Sequence, residues 1–171
     1  MKFIIIGVVI GVAVLGIVAS QLGGDTNYAD DIDDIDTVVL VVDEVNVSLD
    51  CMGTAKCFAG VVTEVIDGDT LKVNGESIRF SLASAPELKG FGGIDSKNFI
   101  ETICPVGSKV VVDEDDGQVL GSYGRIIGLV YCNDVILNQE LLDANLGYLE
   151  ERFCDSSEFS TTTWAVKHGC E

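Results

Sequence analysis

Hydrophobic and polar positions divide this chain into three stretches. Residues 3–20, FIIIGVVIGVAVLGIVAS, form an apolar run with no charge. As a helix rising ~1.5 Å per residue it reaches ~27 Å, close to a hydrocarbon core of ~30 Å. It has no polar face, which argues against a buried core helix. A secretory signal core is usually shorter, about 7–15 residues, and ends at a small-x-small site. Val18-Ala19-Ser20 is a poor version of that site. A retained membrane anchor over residues 1–20 is therefore favoured over a cleaved signal, with secretion as the alternative. Lys2 precedes the run and acids from Asp25 to Asp36 follow it. Positive charge stays inside, so the rest of the chain is expected outside the membrane.

Residues 21–50 read as an acidic linker. Their first part, QLGGDTNYADDIDDID, is polar and lacks hydrophobic periodicity, so it cannot bury a core. The TVVLVV run at 37–42 has the length of a strand but no evident place. Asn46-Val47-Ser48 is a glycosylation sequon, which fits an extracellular surface segment.

From Cys57 onward short periodic segments alternate with turns, and residues 51–171 are expected to form one domain. Residues 58–65 alternate in part, Asp67-Gly68-Asp69 turns the chain, and 70–73 resumes. Asn74-Gly75 is a hairpin signal, so 77–83 follows as a third strand. Residues 96–104 predict a helix with Ser96 as cap and Pro105 beyond its end. Residues 109–113 and 128–132 predict two more strands. Asn138 is expected to cap a helix whose Leu141, Leu142 and Leu146 share a face, with Gly147 as the stop. Residues 160–168 predict a last helix with Trp164 inward. Five strands and three short helices imply a barrel-like α+β domain.

Charge changes the picture. The net charge is −18, so the chain lacks the basic surface of a general nucleic-acid binder, and any phosphate site must be local. Nine acids and one lysine precede Cys51; the 19 acids and nine basic residues after it still leave −10. Six cysteines without a CxxC pair, and one histidine (His168), read as disulfides rather than zinc ligands. Fifteen pairings are open to six cysteines.

Three pieces carry candidate chemistry: Ile66-Asp67-Gly68-Asp69-Thr70, Arg79 to Glu87 (RFSLASAPE), and Tyr123-Gly124-Arg125. Cleaving a phosphodiester needs a cation against the growing negative charge, donors aimed at its oxygens, and a base for water. Arginine offers paired donors matched to phosphate, and a hard cation prefers carboxylate and carbonyl oxygens.

In order and spacing these pieces resemble the thermonuclease (staphylococcal nuclease-like) family, over about residues 57–148 and including the Asn138-Gln139-Glu140-Leu141 helix start. The resemblance implies a five-stranded OB-fold β-barrel and a metal-dependent nuclease that hydrolyses DNA or RNA to 3′-phosphates. It implies Ca²⁺ at Asp69 and the Ala85 carbonyl, with Asp67 able to assist. Arg79 and Arg125 would hold the phosphate, Glu87 would serve as general base, and Tyr123 would touch a flanking phosphate or sugar. It also implies the pairing Cys104–Cys132, while Cys154–Cys170 would bracket the last helix and Cys51–Cys57 would close a small loop.

Two positions depart from the family pattern. Ser84 stands where the family has a second metal-binding aspartate, and Ser122 where its type member has a phosphate-contacting lysine. A hydroxyl is a weaker calcium ligand than a carboxylate, so the site is expected to be weak, and Ser84→Asp is expected to tighten it. The rival reading is a non-enzymatic module, tethered to the membrane, that binds nucleic acid or protein.

Overall fold

The computed structural model describes residues 51–119 and 121–171. The expected anchor at 3–20, the linker and the TVVLVV run lie outside the described residues. Among the described residues no helix is long and apolar enough to cross a membrane.

Strand β1 (Cys57–Val65) pairs antiparallel with β2 (Thr70–Val73), and β2 with β3 (Glu76–Phe80). The β2–β3 turn is Asn74-Gly75 with φ of 51° and 86°, the left-handed pair that a two-residue hairpin requires. On its other edge β1 pairs with β5 (Lys109–Glu114), and β5 with β6 (Ile126–Cys132), both antiparallel. A parallel pairing of β3 with β6, Ile78 opposite Ile126 and Phe80 opposite Gly128, closes the ring. The result is a closed, five-stranded mixed β-barrel with three helices, an α+β architecture. Closure leaves no strand edge open around the ring.

Alternation decides which residues fill it. Val62, Leu71, Val73, Ile78, Phe80, Val110, Val112, Leu129 and Val130 are buried in one core. Gly128 is required where β5 and β6 press together, since a Cβ there would lie 2.4 Å from the Asp113 carbonyl oxygen.

The expected third strand, 77–83, is broken. Leu82, buried and at φ 60°, bends the chain sharply between β3 and a two-residue strand β4 (Ala83–Ser84). Strand β4 leaves the barrel and pairs with β8 (Tyr148–Leu149).

Two expected caps are corrected. Helix α1 (Gly93–Ile103) starts earlier than its pattern implied, because Gly92 at φ 86° turns the chain into it. Ser96 is fully buried inside the helix, and its hydroxyl donates to the Gly92 and Leu146 carbonyls. After the short β7 (Val135–Ile136), helix α2 (Leu137–Asp143) begins one residue before Asn138. Asn138 is fully buried; it accepts from the Val130 amide and donates to the Ser81 and Gly128 carbonyls, stapling α2 to the barrel. The last helix, α3 (Thr163–His168), is shorter than predicted because residues 158–161 form a 3-10 turn. Trp164 is buried, as its place in the pattern predicts.

All six cysteines are paired as expected: Cys51–Cys57, Cys104–Cys132 and Cys154–Cys170. The second ties the end of α1 to the end of β6, and the third ties α3 to the segment after β8.

Candidate functional site

The site grows out of the turn between β1 and β2. Asp67 accepts the Asp69 amide through Oδ1 at 3.0 Å, an Asx turn that fixes the loop. The Ile66 and Asp67 amides both donate to the Thr70 carbonyl. Gly68 lets this turn seat against its neighbours, since a Cβ there would lie 2.6 Å from Ala85 Cβ and 2.4 Å from Ser96 Cβ. The aspartate after it is thereby carried inward, and Asp69 is only 3% exposed.

Three donors meet the Asp69 carboxylate. Arg79 Nη1 lies 2.6 Å from Oδ1, Thr70 Oγ1 donates to Oδ1 at 2.9 Å, and the Ala85 amide donates to Oδ2 at 2.6 Å. Burial pushes the Asp69 carboxyl up from its ordinary value; the Ala85 amide and the Arg79 guanidinium pull the other way without cancelling it. Ala85 therefore meets Asp69 through its N–H.

Arg79 reaches the site because β3 alternates. Ile78 and Phe80 point into the barrel, so Arg79 points out, opposite Thr70 on one side and Ile127 on the other. Its Nη2 donates to Ser84 Oγ at 2.8 Å. Ser84 is fully buried and donates in turn to Glu150 Oε1 at 2.9 Å. A guanidinium has five N–H donors, so three remain after these bonds, on a side chain 27% exposed.

The other expected residues sit around this centre. Arg125 immediately precedes β6, whose Ile127 lies opposite Arg79. It also lies 5.7 Å over the Tyr123 ring. Tyr123 is 95% exposed and held at φ 63°, at the rim before β6. Glu87 follows Pro86 three residues beyond Ser84 and is exposed. Its carbonyl accepts the Gly90 amide at 2.7 Å and closes a small loop; no hydrogen bond joins it to Asp69 or Arg79. The structure thus brings Asp69, Arg79, Ser84 and Ala85 into one hydrogen-bonded cluster and holds Asp67 beneath it.

Glu150 is the member that sequence reasoning missed. It directly follows β8, its amide donates to the Leu82 carbonyl at 2.9 Å, and its second oxygen lies 3.0 Å from Arg152 Nε. Position in the sequence gives little warning: its partner Ser84 is 66 residues away.

The donor set bears on calcium. Among the described residues no three His, Cys, Asp or Glu side chains form a metal-holding group. Asp69 is the one carboxylate at the centre, and its oxygens already receive three protein donors. Such a set does not make a tight calcium cage, which takes 6–8 oxygens. No protein-family model matches the chain, and no curated protein matches it.

Proposed function

We propose that this domain binds and hydrolyses phosphodiesters of single-stranded DNA or RNA on the outer face of a membrane, as an OB-fold member of the thermonuclease family. The observation that carries the reading is the Asp69–Arg79 pair at 2.6 Å. It presents a guanidinium 27% exposed and braced by the buried carboxylate. Arg125, just before β6, would join it, since paired guanidinium donors suit the oxygens of a phosphate. Bracing lowers the ordering cost when substrate arrives. Their local charge answers how so acidic a chain could hold an anion.

Glu87, exposed three residues beyond Ser84, would take a proton from water once substrate fills the site. Tyr123 at the rim offers a face to a flanking nucleotide. Calcium remains part of the proposal. Asp69 and the Ala85 carbonyl are the chain's oxygen donors for it, and water or substrate would complete the shell. A cation there would neutralise charge developing on the phosphate. One carboxylate predicts weak affinity.

A specific observation also favours the second reading, binding without cutting: three of the roughly four acceptor sites of the Asp69 carboxylate are already taken by protein donors. Incubation of the purified protein with single-stranded DNA and calcium separates the two. Cleavage that chelator abolishes and Glu87→Ala lacks is expected. Binding with no chelator-sensitive cleavage would establish the second reading instead.

A further inference from the structure

We infer that Glu150 is a positioning residue for Arg79, acting through Ser84, and that it supplies the second negative charge of this site. The inference deepens the proposed phosphate-binding role and rests on it for its functional consequence alone.

Hydrogen-bond direction decides the argument. Arginine can only donate, so Ser84 Oγ must accept from Arg79 Nη2. A hydroxyl has one proton, and with its lone pair facing Arg79 that proton needs another acceptor. Glu150 Oε1 stands 2.9 Å away and takes it. The chain Arg79→Ser84→Glu150 therefore runs one way only. Its carboxylate draws the Ser84 proton and turns the oxygen's electron density toward the guanidinium. Such chains strengthen along their length at low dielectric. Arg79 is thus held on one arm by Asp69 and on the other by a relayed charge.

The backbone fixes this placement. Ser84 pairs with Tyr148 across β4 and β8, and the Glu150 amide is bound to Leu82, the residue at the bend. The Glu150 side chain is 19% exposed, and its second oxygen is paired with Arg152 Nε at 3.0 Å, which leaves Oε1 to Ser84.

A consequence reverses the expectation for Ser84→Asp. An acid at position 84 would stand between the Arg79 guanidinium and the Glu150 carboxylate, and it has no proton to give Glu150 as the Ser84 hydroxyl does. The relay is thereby broken and two carboxylates are set against each other, whereas an amide at position 150 can donate to the new acid. Ser84→Asp should weaken the site unless position 150 is neutral.

Five variants test this: Ser84→Asp, Glu150→Gln, their double, Ser84→Ala, and Ser84→Ala combined with Glu150→Gln. Urea unfolding at pH 7 is the first readout. Ser84→Asp is expected to be less stable than wild type, and its double with Glu150→Gln to regain that stability. Single-stranded oligonucleotide affinity is the second. Glu150→Gln should weaken it by about tenfold, its double with Ser84→Asp should return to within about twofold of wild type, and Glu150→Gln should add nothing to Ser84→Ala. Should Ser84→Asp not fold, that last comparison decides. Stability of Ser84→Asp unchanged from wild type, or additive effects of Ser84→Ala and Glu150→Gln, would overturn the relay. Failure of the wild type to bind any oligonucleotide overturns the proposed function instead, while the unfolding series still decides the relay.

Discussion

The Arg79 guanidinium lies 2.6 Å from the Asp69 carboxylate, and among the described residues neither forms another ion pair, with the Asp69 side chain 4% and the Arg79 side chain 27% exposed. Removing one leaves the other's desolvation cost uncompensated. Arg79→Gln is expected to destabilise the domain by about 3 kcal/mol at neutral pH. The deficit should shrink on acidification. Asp69 without its cation has a pKa raised further above its unfolded value, so stability is retained at low pH and lost as pH rises through the raised value. Urea unfolding of both proteins at pH 5 and pH 7 checks this; a deficit independent of pH would contradict it.

Asn138 predicts a stability effect without a charge. Its side chain bonds one amide of β6 and two carbonyls, at Ser81 and Gly128. Asn138→Leu removes all three bonds; the Gly128 carbonyl keeps the Ser81 amide, but the Val130 amide and the Ser81 carbonyl lose this partner in a dry interior. Each unmade bond costs about 1–3 kcal/mol, so the variant is expected to lose about 2–6 kcal/mol. A thermal midpoint within a few degrees of wild type would show the staple to be dispensable.

Asn138 and Ser96 also show where the sequence stops being legible. Both are residue types that cap helices, both stand near the start of an apolar-periodic segment, and both were expected as caps. Each instead satisfies partners brought in by distant strands, which no local pattern records. The Asn74-Gly75 hairpin, the Asp67-Gly68-Asp69 turn and the inward Trp164 were legible because their causes are local. Glu150 was not, because its partner arrives through the bend at Leu82.

A different pH dependence belongs to the segment that Cys51–Cys57 pins down. Met52 donates its amide to Asp113, and Thr54 and Ala55 donate theirs to Asp116. Burial, then the neighbouring acids, hold Asp113 and Glu158 above their ordinary values. A raised folded pKa means stability present below the unfolded value and lost as pH climbs through the raised one. Stability should therefore fall as pH rises from about 4 toward neutrality, and Asp113→Asn should flatten that fall. Asp143 works oppositely: hydrogen bonds from Lys167, then His168 and Gln139, hold it down to about 2, so its contribution disappears only in stronger acid. Unfolding midpoints through this range test the sign; a rise toward neutral pH would refute it.

The bridge between Cys104 and Cys132 closes a loop of 28 residues. Chain-entropy reasoning gives it about 3–4 kcal/mol, and replacing both cysteines by alanine is expected to cost that much. Chemical denaturation of the double variant against wild type measures it, and a loss below about 1 kcal/mol would contradict the entropic account.

The central claim is that Arg79 and Arg125 together present one phosphate-binding wall. Binding of a single-stranded oligonucleotide, read by fluorescence anisotropy in chelator at several salt concentrations, tests it most directly. Folded Arg79→Gln and Arg125→Gln proteins are each expected to bind about tenfold more weakly, with a salt slope lower by about one. Wild-type affinity and slope in both variants would contradict the claim.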